Sequence, residues 1–480
     1  MKAAAHPLDI DGLVDGQRFG PFNLQLLLWS FLAMVADGYD ISALASAAPA
    51  LVHDWHVPAK AFGPAFSASL FGVLFGAPLL GWLGDRAGRR RAIIGGCLIY
   101  GLGTLATVWT HTLGEIIVLR FLTGIGIGGL MPNTIALNSE LSPKRLRATL
   151  IVLMFTGITT GSGLPGEIQA WLVPRYGWQV LFWIGGLAPL IIAVGLALRL
   201  SESVKFLKQN PARRAELLRT LRRMRPDLDL PDDFTVAAPP AAPAATGAPA
   251  IGPAQASGFL HASGLAQLLG GGLAWITPLL WICFAAALMA NFFLVSWLPL
   301  VLVGSGLTGE QSGITTSFYH YGGTVGGLLV SFVLGRFGFT SVAALFLLAI
   351  PAIAAIGVCA TGGGVYPLLA AAVALSGFAT LGAQFGNNAA SGLLYPTPVR
   401  ARGVGWALGI GRFGSMLGPL VGGVLIGLKL PLGQLFFWAA VPMVAGLLAS
   451  LGVAVLCRKR LGGLHLDDLP APRTSSVSAH

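Results

Sequence analysis

Runs of apolar and small residues about 20 long, the length a helix needs to cross a hydrocarbon core of roughly 30 Å, recur about twelve times along this chain. They fall near 23–50, 62–83, 92–110, 113–138, 148–172, 177–199, 275–303, 312–334, 340–360, 366–393, 403–428 and 433–457. Lipid offers the backbone no hydrogen-bond partners, so each run must satisfy its own as a helix. An all-α, polytopic membrane protein with twelve transmembrane helices is expected. With 55% hydrophobic and 10% charged residues in 480, a water-soluble globule would lack the polar surface to cover itself.

The net charge of +11 raises the question of nucleic acid, and the placement of the basic residues answers it. With the N-terminus in the cytoplasm they cluster in alternate loops: Arg86, Arg89, Arg90 and Arg91; Lys144, Arg145 and Arg147; Arg199 through Arg225; Arg336; Arg400 and Arg402; Arg458, Lys459 and Arg460. The opposite side receives Lys60, Arg175 and Lys429. That asymmetry is the positive-inside signature of topology, not a nucleic-acid footprint. The opening Met1 to Gly20 is polar and mildly acidic, so no cleavable leader is expected and the first span serves as insertion signal. Cys97, Cys283, Cys359 and Cys457 stand singly, without a spacing that suits a metal or a redox couple.

Between Leu200 and Ala274 the apolar pattern stops, a basic amphipathic stretch follows, and an Ala/Pro/Gly segment of low complexity closes the interval. The expected organisation is a cytoplasmic tail at 1–22, a six-helix bundle at 23–199, a flexible cytoplasmic linker at 200–274, a second six-helix bundle at 275–457 and a cytoplasmic tail at 458–480. The halves echo each other. Pro143-Lys144-Arg145-Leu146-Arg147-Ala148 after span 4 matches the spacing of Pro396-Thr397-Pro398-Val399-Arg400-Ala401 after span 10. Gly84-Asp85-Arg86-Ala87-Gly88 has a worn counterpart in Leu334-Gly335-Arg336-Phe337-Gly338, with Gly335 where the first half has its acid. Parallel repeats of this kind imply two bundles that rock about a central site.

The loop GWLGDRAGRRR (Gly81 to Arg91), the run RFLTGIGIGG (Arg120 to Gly129) and the central basic linker resemble the major facilitator superfamily. DGYD at Asp37 to Asp40, WLP at Trp297 to Pro299, and the stretch from Tyr395 to Pro419 are similar to its aromatic acid:proton symporter family, the 4-hydroxybenzoate and benzoate carriers. The resemblance implies two pseudo-symmetric six-helix bundles and proton-coupled uptake of an aromatic carboxylate by alternating access. A carrier of another organic anion or a sugar, or a drug exporter, is the alternative on the same fold. It further implies a bacterial inner-membrane location with both termini in the cytoplasm, a monomer, and no cofactor beyond the proton.

Ionisable groups within a span cost several kcal/mol unless they are paired or face water, so each is a candidate site residue. Asp37 and Asp40 share a face of span 1, roughly 20 Å from its cytoplasmic end at about 1.5 Å per residue, and Arg120 on span 4 reaches a similar depth. Two adjacent carboxyls with one cation suit proton exchange; a static tie between spans 1 and 4 is the competing reading. Arg412, mid-span in GIGRFGS, is expected to meet the substrate carboxylate with its guanidinium fork, Arg120 being the runner-up. His320, Tyr39, Gln384, Asn387, Asn388 and Trp406 complete the expected substrate contacts, and Glu167, near the outer end of span 5, is a weaker candidate.

On the cytoplasmic side Asp85, Arg86, Arg89, Glu140 and Arg147 place both signs of charge within short reach, and one network closing that side is expected. Gly124 to Gly129 and Gly409 to Gly414 fit G-x-G-x-x-G, yet neither opens a helix after a strand, so both are expected to be packing surfaces. No catalytic constellation, metal set or phosphate loop appears in the sequence, and an enzyme is not expected.

Overall fold

The computed structural model describes residues 6–228, 234–236, 265–270, 273–361, 365–395 and 397–461. The Ala/Pro segment of the linker, within 237–264, and residues 462–480 of the C-terminal tail lie outside the described residues. The chain divides into two compact units. One is Met1–Pro253 with Leu307–Ser317, the other Ala254–Gly306 with Phe318–His480.

The first unit runs β1 (His6–Leu8), α1 (Ile10–Asp15), α2 (Pro21–Trp55), α3 (Phe62–Ala87), α4 (Arg89–Ala106), α5 (Leu113–Gly128), α6 (Leu130–Leu141), α7 (Arg147–Trp171), α8 (Val173–Tyr176), α9 (Gln179–Arg199), α10 (Val204–Lys208), α11 (Arg214–Met224) and β2 (Phe234–Val236). The second part of the chain contributes α12 (Leu265–Leu268), α13 (Ile276–Gly304), α14 (Gly309–Phe337), α15 (Phe339–Thr361), α16 (Tyr366–Leu394), α17 (Thr397–Gly427) and α18 (Leu432–Leu461). Helices α5 and α6 are one span, broken at Gly129, where any side chain would overlap Leu80. Among the described residues eleven helices are long and apolar enough to cross a bilayer. Helix α14 has the length, 29 residues, but carries buried Ser312, Thr315, Thr316, Ser317 and His320 in its first half. Burial in protein relieves such a span of the need to be apolar.

The packing pattern repeats. In the first unit α2 lies along α7 and α9, α4 along α5 and α9, and α3 along α5. In the second, α13 lies along α17 and α18, and α15 along α16 and α18; Gly322 and Gly326 of α14 press on the carbonyls of Ala374 and Phe378 of α16. Small residues permit these approaches. Gly124 abuts the Ser69 carbonyl of α3, and a Cβ on Gly126 would lie 2.7 Å from the Gly96 carbonyl of α4, so the first G-x-G-x-x-G run is spent on two helix contacts.

Two features depart from the sequence expectation. The turn between α3 and α4 is a single residue, Gly88, whose φ of +107° is strained for any L side chain. The beginning of the linker is not a free hinge either. Leu217, Leu218, Leu221 and Met224 recur at helical spacing along α11, and with Val204 and Leu207 of α10 and Ile10 and Val14 of α1 they join the same buried core as Leu137, Leu141 and Leu196. Backbone pairing of β1 with β2, parallel over three residues, adds a further link from the N-terminal tail to the linker.

Candidate functional site

Helix α2 is small-sided where it passes its neighbours: Gly38 touches the Ile158 backbone of α7, and Ala33, Ala36 and Ala43 are buried. This close packing places Asp37 and Asp40, one turn apart, inside the first unit with 6% and 3% exposure. Arg120 of α5 donates from Nη1 to Asp40 Oδ2 at 2.9 Å and to the Asp40 carbonyl at 3.4 Å. Thr104 of α4 donates its hydroxyl to the other carboxylate oxygen, Oδ1, at 3.1 Å. Both charged side chains are 2% exposed.

The pair is one-sided. Arg120 Nε and Nη2 are buried and have no hydrogen-bond partner, and the guanidinium carbon sits 5.6 Å from the centroid of the Phe182 ring. A buried donor left unpaired costs about 1–3 kcal/mol, so half of the guanidinium fork is held ready for an acceptor. Tyr100 anchors the surroundings by donating to the Ala36 carbonyl at 2.6 Å. Tyr39, expected against substrate, is instead a packing residue. Its hydroxyl donates to the Leu181 carbonyl of α9 at 2.9 Å and its ring fills the space opposite Gly185. The DGYD spacing puts Tyr39 about 100° from Asp40 on the helix, which explains the divergence.

In the second unit His320 is 3% exposed on α14 and meets Tyr319 edge-on at 5.3 Å between centroids. Tyr319 donates to Asn291 Oδ1 of α13 at 2.9 Å. Asn387 of α16 donates to the Cys283 carbonyl at 3.3 Å, while its own Oδ1, Gln384 Oε1 and Trp281 Nε1 are buried without a partner. Trp281 in turn lies 6.0 Å from Trp406 of α17. Asn388 faces outward, away from the buried Asn387 beside it. Arg412 is half-buried on α17, with its carbonyl accepting from Ser415 Oγ at 2.6 Å. Glu167 is likewise half-buried on α7.

The charges expected on the cytoplasmic side form separate contacts rather than the single network expected. Asp85 pairs with Arg89 one turn on, and Arg86 covers the Trp82 ring at 4.5 Å. Arg147 pairs with Asp15 of α1 at 2.8 Å, not with Glu140. Glu140 accepts from the hydroxyl of Ser203, in the linker. Unexpectedly, Glu202 is fully buried at the start of α4. Its Oε1 accepts from the backbone N–H of Arg90 and of Ser203, both at 3.0 Å, so a carboxylate sits at a helix N-terminus. In the second unit Gly335 has open space around it and Arg336 lies over the Phe337 ring at 5.6 Å.

Sequence reasoning passed over Thr104, Trp281, Asn291, Asp15, Glu202 and Ser203. Lone polar residues in an apolar span, such as Thr104 and Asn291, carry a readable signal, because each must find a partner. The partners of Arg147 and Glu140 come from segments distant in sequence and carry none.

Residues 30–358 match the family model of the Major Facilitator Superfamily. The gallate transporter of Pseudomonas putida is 33% identical over 93% of this chain and 95% of its own length. The chain belongs to the major facilitator superfamily, within its aromatic acid transporter family. The 4-hydroxybenzoate transporter PcaK of Pseudomonas aeruginosa is 34% identical over 88% of this chain and 91% of that protein. Among solved structures, the partially occluded, inward-open xylose transporter XylE of E. coli superposes with a TM-score of 0.65 at 15% identity, covering 90% of this chain and 97% of XylE. That likeness concerns the fold. This facilitator is a multi-pass membrane transporter and not an enzyme.

Proposed function

We propose that this facilitator takes up an aromatic carboxylate of the benzoate or hydroxybenzoate type together with protons, by alternating access. Its relatives at 33–34% identity are named for gallate and 4-hydroxybenzoate, which supports the substrate class. The observation that carries the coupling is the buried Asp40–Arg120 pair with two spare guanidinium donors.

A proton arriving at Asp40 cancels the charge that holds Arg120 Nη1, while Asp37 one turn away offers a second carboxyl for the exchange. Arg120, released and with Nε and Nη2 already unpartnered, then favours an anion nearby. Loading the proton and loading the carboxylate become mutually supportive, which is what symport requires. In the second unit Arg412 serves the substrate carboxylate, His320, Gln384, Asn387 and Trp406 read the ring and its hydroxyls, and Trp281 adds an indole N–H. Asp85 with Arg89, Arg86, Glu140 and Arg147 stabilise the state closed to the cytoplasm. No cofactor other than the proton is needed, the protein works as a monomer, and both termini lie on the cytoplasmic side of a bacterial inner membrane.

Uptake of radiolabelled benzoate, 4-hydroxybenzoate, gallate, phenylpropanoate and xylose into proteoliposomes, with and without an inward proton gradient, tests this reading. Gradient-stimulated uptake of one or more of the aromatic acids is expected. Stimulation by the sugar alone, or uptake indifferent to the gradient, would overturn it.

A further inference from the structure

We propose that the first unit binds the phosphate headgroup of an anionic phospholipid in a basic cavity where α2 and α7 begin. The cavity, about 520 Å³, is lined by Asp15, Gly16, Gln17, Arg18, Lys144 and Arg145. Its floor is fixed. Gln17 is 2% exposed and donates from Nε2 to the carbonyls of Val14 at 2.9 Å and Leu141 at 2.8 Å, while Asn23 donates to its Oε1 at 3.2 Å.

The walls hold three cations against one acid, and that acid is already committed, since Asp15 receives Arg147 at 2.8 Å. No ion pair among the described residues engages Lys144 or Arg145, and both are exposed. Arg18 has Asp227 as its acidic neighbour, and Asp227 is itself paired with Arg225 at 2.9 Å. An uncompensated cluster of an ammonium and two guanidinium groups around a cavity this size suits a phosphate, which the guanidinium forks can meet with paired hydrogen bonds.

Placement favours a lipid over a soluble anion. Arg18 comes just before Pro21, where α2 starts, and Lys144 and Arg145 just before Arg147, where α7 starts, so the cations stand where spans leave the hydrocarbon. Phe19 and Leu24, beside Arg18 in sequence, are 45% and 57% exposed and provide apolar surface next to the charge. Basic pockets at the ends of membrane helices are a recurrent form of anionic headgroup recognition. None of the three cations belongs to the proton-coupling, substrate or gating sets described above.

The test uses the full-length protein in detergent, titrated with dioleoylphosphatidylglycerol, with dioleoylphosphatidylcholine, and with inorganic phosphate at matched ionic strength, reading lipid adducts by native mass spectrometry and the unfolding temperature. Phosphatidylglycerol alone is expected to bind and protect. Lys144→Gln with Arg145→Gln should weaken that binding roughly twenty-five-fold, from about a fivefold loss per interfacial cation. Arg91→Gln with Arg219→Gln, removing two exposed cations elsewhere, should leave it unchanged. Should the double variant at the cavity not fold, Arg18→Gln is expected to give a roughly fivefold loss by the same argument. Equal binding by wild type and cavity variants, equal loss in the control variant, or equal protection by inorganic phosphate would each overturn the proposal.

Discussion

Replacing Asp40 with Asn removes one negative charge while keeping the volume of the side chain and an acceptor for Thr104, whose hydroxyl lies 3.1 Å from Oδ1. Arg120, 2% exposed, is then left without a counter-charge. Removing one member of a buried ion pair costs about 3–5 kcal/mol, chiefly through the stranded charge. Asp40→Asn should therefore lower the unfolding temperature clearly, and adding Arg120→Gln should recover much of the loss, with a coupling of roughly 2–3 kcal/mol between the two sites. For transport, a difference of one pH unit across the vesicle stores about 1.4 kcal/mol per proton, so one proton per anion supports about tenfold accumulation. Proteoliposomes made one pH unit more alkaline inside, supplied externally with labelled 4-hydroxybenzoate and corrected with protein-free vesicles for permeation of the neutral acid, read this directly. Wild type should approach tenfold accumulation per proton; Asp40→Asn should stop at equilibration while still exchanging label against internal substrate. Tenfold accumulation by Asp40→Asn would refute the coupling assigned to the pair.

Further outcomes test other parts of the structure. Arg412→Ala should weaken binding of 4-hydroxybenzoate by about 2 kcal/mol or more, the worth of a charge-assisted bidentate contact, measured by calorimetry on protein that still inserts; unchanged affinity would assign the carboxylate to Arg120 instead. Gly88→Ala places a methyl group on the Glu202 carboxylate at a φ of +107°, and should destabilise the protein by more than about 1 kcal/mol in thermal unfolding. Glu140→Gln and Arg147→Gln should act additively on stability, within about 0.5 kcal/mol, because they contact Ser203 and Asp15 separately; a large coupling would restore the single network.

Much of the fold was legible because lipid enforces it. Span limits read from apolar runs, such as 62–83 and 366–393, fall within a few residues of Phe62–Ala87 and Tyr366–Leu394. The loss of apolar character in α14 did not hide it, since its length and Gly-rich close packing against α16 remain. Charge inside the membrane was equally readable: Asp40 and Arg120 stand out in any apolar run, and helical rise alone set them at one depth. What escaped was direction and reach. Tyr39 shares the DGYD motif but points to α9, and Arg147 and Glu140 find partners in α1 and in the linker, across separations that periodicity does not encode. The docking of α10 and α11 was half visible, as an amphipathic pattern whose apolar side had no stated partner.

The central claim is that substrate enters with protons. The direct measurement is the pH of a lightly buffered medium outside wild-type proteoliposomes as 4-hydroxybenzoate is added at neutral pH under a clamped membrane potential, with label uptake recorded in parallel. External alkalinisation in fixed proportion to label taken up, beyond that of protein-free vesicles, is the expected result; substrate entry with no accompanying proton movement would contradict it.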